Sequence, residues 1–414
     1  MKKMAWLVLA LPLFVLAQDV QQEIRHETST INIEIPVRVF RDGAFVETLT
    51  LDDFEVTDNG RPQRIDALYL VKKAAIARKS EARTFTPETA RHFYLLFEVG
   101  DFDPKIPEAV RYFVRNVLLP GDDLAVATPL KTYRMKADVL MTSPAEEIAR
   151  QIIGIVRHDA LIGYSEYRGI LEDLKSLARS IAAMSPEGTG GGSFISTDPF
   201  SSAIPLSTGG SIEEQLQNYA DLLARLQGLR VIDRDKLLAF ARHLKGLEGE
   251  KNVFLFYQRE FVPKLDPKLL AMFGVIYNER MDIVQTINGL FQLYYRDVTV
   301  DTAEINQAFA DSATAVHFLF LAKPAERSEG VVMTEQSEDI FTTFGQMAKA
   351  TGGIAESSAN AAALMKGAAE AAENYYLLYY TPDAYKADGT FHELRVTVKG
   401  GGVRVIHRAG YVAD

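Results

Sequence analysis

The chain has 414 residues, 47% of them hydrophobic and 24% charged, enough for a buried core and for more than one domain. Its formal net charge is -10 and it carries no dense Lys/Arg run, so the basic footprint of a nucleic-acid binder is missing. With no cysteine, a disulfide framework, cysteine zinc sites, thiol catalysis and a lipoprotein anchor are all excluded.

Lys2 and Lys3 precede an apolar run from Ala5 to Ala17. That run is too short to span a bilayer as a helix but suits the core of a signal peptide, so residues 1–17 are expected to direct export. The mature chain is then expected in the periplasm or outside the cell, with no stable membrane span. Residues 28–72 predict a small strand module: INIEIPVRVF alternates, and Asp42-Gly43 and Asn59-Gly60 mark turns. Residues 73–90 are polar and charged and predict a linker.

From Arg91 the pattern changes. HFYLLFEV is a continuous apolar run, the mark of a strand covered on both faces. A helix over PEAVRYFVRNVLL follows, ended by Pro120-Gly121, then a buried strand in DDLAVATPL and a neighbouring strand in YRMKADVLMT. Ser143 and Pro144 open a further helix. Residues 165–185 and 212–247 have helical period; the Gly/Ser-rich stretch 186–211 between them predicts a surface insertion. KNVFLFYQ and TAVHFLFLAK are two more buried strands, separated by the largely helical segment 266–295. A helix stopped by Gly352-Gly353 and an Ala-rich helix complete a central α/β domain over 91–374. Residues 375–414 return to strands and are expected to join the N-terminal module.

Several of these segments together resemble the acidobacterial-type VWFA-related domain family, a group of exported von Willebrand factor A-like proteins. The likeness lies in LTLDDFEVTDNGRPQRI, in PGDDLAVATPL with VLMTSPAEEI, in LKGLEGEKNVFLFYQREF, and above all in the C-terminal run from FGQMAKATGG to the terminal Gly-Tyr. It covers most of residues 31–412 and is weakest over 160–245. The resemblance implies a Rossmann-like α/β fold: a mostly parallel sheet with helices on both faces, plus a small β module of N- and C-terminal strands. It also implies binding at the carboxyl ends of the strands, through loops 98–104, 129–134, 258–263 and 322–334.

In von Willebrand factor A domains that edge often carries a metal-ion-dependent adhesion site, Asp-x-Ser-x-Ser after the first strand with a Thr and an Asp from later loops. Here the pattern is degenerate. Glu98 stands for the first Asp, Gly100 and Phe102 replace the serines, and Gln258, Arg259 and Glu260 flank the position of the last Asp. Ser165 is a weak substitute for the Thr. Two outcomes stay open: a lost metal site on a solvated loop, or a rearranged Mg²⁺-type site using Glu98, Asp101 and Asp103. Gly100, Phe102, Gln258, Arg259 and Glu260 are the candidate binding-edge residues.

No other chemistry assembles. His392-Glu393 lacks a second His at zincin spacing, no G-x-S-x-G occurs, and Gly190-Gly191-Gly192-Ser193 lacks the ending of a phosphate loop. His92 and His317 read as core or sheet-rim residues. Asp52-Asp53 and Asp122-Asp123 read as turn caps or solvated turns. Tyr375, Tyr376, Tyr379 and Tyr380 read as core packing or as an exposed binding face. The resemblance implies a metal-independent, non-catalytic protein-binding module of adhesion type with no resident cofactor. The alternatives are a scaffold subunit of an envelope complex that binds through the β module, and a hydrolase with a non-standard site.

Overall fold

β1 (Ile33–Arg41) alternates along its length and buries Ile33, Ile35, Val37 and Val39 on one face. A tight turn at Asp42-Gly43 returns the chain as β2 (Ala44–Phe45). β3 (Phe54–Asp58) and β4 (Arg61–Gln63) form a hairpin about Asn59-Gly60, both at positive φ. β5 (Ile65–Lys72) is almost wholly buried, and β6 (Ala75–Glu81) pairs with it. These strands belong to a computed structural model that describes residues 31–184, 210–230, 232–294, 301–326, 331–383 and 385–414. The expected signal segment and nearly all of the 186–211 insertion lie outside the described residues. β6 corrects the expectation of a linker over 73–90. It is an exposed edge strand held by backbone bonds to β5, so no apolar alternation marks it in the sequence.

β7 (Arg91–Glu98) begins the central sheet, followed by α1 (Ile106–Asn116), β8 (Asp123–Ala127) and the short β9 (Thr132–Arg134). The strand expected over YRMKADVLMT is only β9; its second half is the helix α2 (Ala137–Thr142), which buries Leu140 alone. α3 (Ala145–Gly163), α4 (Ser165–Ala183), α5 (Ile212–Gly228) and α6 (Arg234–Lys245) come next. β10 (Glu250–Gln258) leads into β11 (Phe261–Lys264), α7 (Pro267–Ile276), α8 (Met281–Tyr294) and α9 (Ala303–Asp311). β12 (Thr314–Leu321), β13 (Val332–Glu335), α10 (Glu338–Thr351), β14 (Ala355–Ser358) and α11 (Ala361–Glu373) follow.

The central sheet runs β14-β12-β10-β7-β8-β9, parallel throughout except for β9. Alternation along β7 sorts its two faces. Phe93, Leu95 and Phe97 pack with residues of α1, α3 and α11, whereas Tyr94 packs with residues of α6, α9 and α10. A separate apolar cluster joins α4, α5, α7, α8 and β11 around Leu174, Tyr219, Leu223 and Phe273.

The chain ends in β15 (Asn374–Tyr380), β16 (Phe391–Val398), β17 (Arg404–His407) and β18 (Gly410–Val412). β15 inserts between β1 and β5 in the sheet β17-β1-β15-β5-β6, and β16 joins β3 in the sheet β18-β16-β3-β4. A buried knot ties these strands: Tyr380 and Tyr411 hydroxyls donate to Asp58 Oδ2 (2.8 Å each), and His392 Nδ1 lies 2.9 Å from Asp58 Oδ1. Asn32–Asp414 forms one compact unit. The expectation of a mostly parallel, Rossmann-like fold is corrected here. Parallel pairing is confined to one mixed sheet, and twelve of the eighteen described strands lie in antiparallel sheets. The continuous apolar runs at β7, β8, β10 and β12 are the parallel strands and dominate a reading of the sequence, although the antiparallel strands outnumber them.

Candidate functional site

β7, β10 and β12 end together at Glu98, Gln258 and Leu321, placing three loops at one edge of the mixed sheet. Glu98 points away from Phe97 and is half-buried; its Oε2 accepts from the Tyr164 hydroxyl (2.8 Å) at the α3–α4 junction. Burial raises the Glu98 pKa, the Tyr164 hydrogen bond opposes that rise, and nearby Glu260 adds to it. Asp101 points elsewhere: its backbone N–H donates to Gln258 Oε1 (2.9 Å) and its carboxylate pairs with Lys323 Nζ (2.8 Å). Asp103 Oδ1 accepts from the Lys105 backbone N–H (2.7 Å) and organises the turn into α1. The three acids therefore serve three different partners. Among the described residues no group of three or more His, Asp or Glu is placed to hold a metal ion.

The flanking candidates divide similarly. Glu260 Oε2 meets Arg230 Nε at 2.5 Å, and Arg230 also reaches Asp339 (3.3 Å), a largely buried ion network. Arg259 pairs with Glu335 (3.2 Å) and lies over the Phe320 ring. Phe102 packs against the main core beneath the Arg157 guanidinium. Ser165 donates to the Ile162 carbonyl (2.7 Å), a local helix-junction contact.

Gly100, Asp101, Gln258, Arg259 and Glu260 share a cavity of about 380 Å³ with residues of α4 and with Lys323. Its α4 wall presents Tyr167, Leu171 and Lys175, a stripe at i, i+4, i+8 that continues from Tyr164. Tyr167 is only 8% exposed and its hydroxyl has no hydrogen-bond partner; burial pushes its pKa far up. Lys175 pairs with Glu172 (2.9 Å) and Glu326 (2.5 Å). No family model, no curated protein and no solved structure matches this chain.

Tyr167, Lys175 and Lys323 were missed by sequence reasoning. The stripe from Tyr164 to Lys175 was the available signal, but a polar residue on an amphipathic helix reads as a solvated face. The cavity lining holds no histidine, serine or threonine, and each of its lysines is engaged with a carboxylate. Such a site can recognise polar groups by hydrogen bonding and ion-pair exchange.

The Arg168 guanidinium, which lines the cavity, donates to the Leu161 carbonyl and so brings the end of α3 close to it. Leu130, Leu161 and Ile162 are 46%, 51% and 48% exposed, and the Gly163 backbone sits against Pro129 and Leu130. Among the described residues no helix is long and apolar enough to cross a membrane.

Proposed function

We propose that the chain is an exported, non-catalytic protein-binding module that docks a polypeptide partner at the carboxyl edge of the mixed sheet without a metal ion. The observation that carries this reading is the unpartnered, buried Tyr167 hydroxyl in a polar cavity beside exposed Leu130, Leu161 and Ile162. Exposed apolar side chains next to satisfied ion pairs match the make-up of a protein interface. The sequence likeness to the acidobacterial-type VWFA-related family, strongest in the C-terminal Thr-Gly-Gly and Tyr-rich segments, supports export and adhesion. Strand addition at the open edge of β6 is a weaker alternative, because Arg78 and Lys79 place charge along that edge.

Affinity capture from an envelope fraction tests the proposal. A partner retained by the wild type and lost from Leu161→Asp/Ile162→Asp, at unchanged melting temperature, is the expected result. Equal capture by both proteins, or none by either, overturns it.

A further inference from the structure

At the opposite, amino ends of β10 and β12, a second cavity of 460 Å³ opens between the mixed sheet and the β1–β15 face. Three buried cations line it. Arg38 is 2% exposed; its Nη2 pairs with Glu250 Oε1 (3.0 Å), but its Nε has no partner. Arg408 donates through Nη2 to the Glu34 carbonyl (2.8 Å) and through Nη1 to the Ala310 carbonyl (3.4 Å), and its Nε is also unpartnered. Lys251 donates to the Leu247 carbonyl (2.7 Å) and makes no ion pair among the described residues.

Two carboxylates share that interior. Glu250 is engaged by Arg38, and Glu34 accepts from the Tyr379 hydroxyl (2.6 Å). The lining thus holds three cations and, with Glu88 and Glu248, four carboxylates, and two buried guanidinium nitrogens are left without acceptors. Buried donors left this way are costly, and an acceptor that fills the cavity removes the cost. Glu88 and Glu248, both exposed, stand on the rim and disfavour a multiply charged anion. Phe85 and Tyr379, stacked at 4.5 Å and 11°, form an apolar wall.

We propose that this cavity binds a singly charged organic carboxylate with a flat apolar body, its carboxylate taken by Arg38, Arg408 and Lys251 and its body by Phe85 and Tyr379. The carboxylates that line the cavity disfavour a multiply charged anion, the unpartnered guanidinium nitrogens suit a planar carboxylate, and the volume lies within the roughly 300–1,000 Å³ range of small-molecule sites. This site is independent of the partner-binding edge, at the other end of the same strands.

Calorimetric titration of the full chain with benzoate, acetate, benzamide and inorganic phosphate tests it. Benzoate should bind saturably at one site, at least about tenfold tighter than acetate, benzamide or phosphate. Lys251→Met should weaken benzoate by about tenfold without lowering the melting temperature, because it removes a buried unpaired charge. Arg408→Gln is the second variant, expected to weaken benzoate likewise. Absence of saturable benzoate binding, phosphate binding tighter than benzoate, or unchanged affinity in both variants overturns the proposal.

Discussion

Arg91 and Asp122 form a two-pronged ion pair, Nε–Oδ1 2.9 Å and Nη2–Oδ2 2.6 Å, joining the first residue of β7 to the turn before β8. Both side chains are buried, Arg91 also donates to the Val117 carbonyl (2.9 Å), and Asp122 Oδ2 accepts from the Leu119 N–H (2.6 Å). The Asp122-Asp123 turn expected to be a cap or solvated is both more and less than that: Asp122 caps locally and is sealed inside, whereas Asp123 faces Arg134 nearer the surface. Asp122→Ala leaves a buried guanidinium without its partner and should cost about 3–5 kcal/mol in denaturant unfolding. The double variant Arg91→Met/Asp122→Ala should recover part of that loss. Equal stability of Asp122→Ala and wild type would show the pair to be energetically idle.

Local pattern made some of this architecture legible and left the rest hidden. The apolar runs at β7, β8, β10 and β12 were readable because a strand covered on both faces needs no polar alternation. Of the four tyrosines in β15, the hydroxyls of Tyr376, Tyr379 and Tyr380 donate to Val46, Glu34 and Asp58, and all four rings are buried; the exposed-face reading is excluded by that burial. What the sequence could not show is which strands of the two ends pair, and in what register. β1 meets β15, and β3 meets β16, through backbone registers that no local spacing encodes. The carboxyl-edge loops were located by analogy, yet the partners of Glu98, Asp101 and Asp103 depend on Tyr164, Lys323 and a helix turn that only the fold brings near.

Glu98 gives a direct test of the metal question. Its pKa is raised above the ordinary value of 4.5, first by burial, so the folded state favours the protonated form. That contribution to stability is present at low pH and lost as pH rises through the folded pKa. Glu98→Gln should therefore melt higher than wild type at neutral pH, and the difference should vanish below the ordinary glutamate range. The Gln carbonyl still accepts from Tyr164. A Mg²⁺-dependent rise in wild-type melting temperature that Glu98→Gln abolishes would instead make Glu98 a metal ligand.

His317 should act in the opposite pH direction. It is fully buried in β12, stacked on Phe254 at 4.9 Å, with Nε2 3.3 Å from Asn252 Oδ1 and Nδ1 unpartnered. Burial first, and then the Arg38 charge, push its pKa down to about 3 from 6.5. Below pH 6.5 the unfolded chain takes up a proton that the folded chain refuses, so stability falls as pH drops toward 3. His317→Gln keeps a donor toward Asn252 and removes the titration. Relative to that variant, wild type should lose about 3 kcal/mol between pH 6.5 and about pH 4, read from urea midpoints. Parallel pH profiles for the two proteins would refute the assignment.

The Thr-Gly-Gly that ends α10 carries the most severe substitution expected in the chain. Gly352 takes φ 73°, the Gly353 N–H reaches back to the Ala348 carbonyl (2.9 Å), and the Gly352 N–H reaches Lys349 (3.4 Å), closing the helix in a Schellman arrangement. The Thr351 hydroxyl accepts from the Val316 N–H (3.1 Å), so the helix end is bonded directly to β12. A Cβ on Gly353 would stand 1.9 Å from the Val316 carbonyl oxygen, and the obstacle is backbone, which cannot swing aside as a side-chain tip can. Gly353→Ala must move either the strand or the helix terminus and should cost more than about 4 kcal/mol, in the exceptional range for a single change. Thr351→Val, which leaves the Val316 N–H without its acceptor and removes the hydroxyl's bonds to the Met347 and Ala348 carbonyls, should cost about 1–3 kcal/mol. If Gly353→Ala unfolds at the same denaturant concentration as Thr351→Val, the close approach of α10 to β12 is wrong.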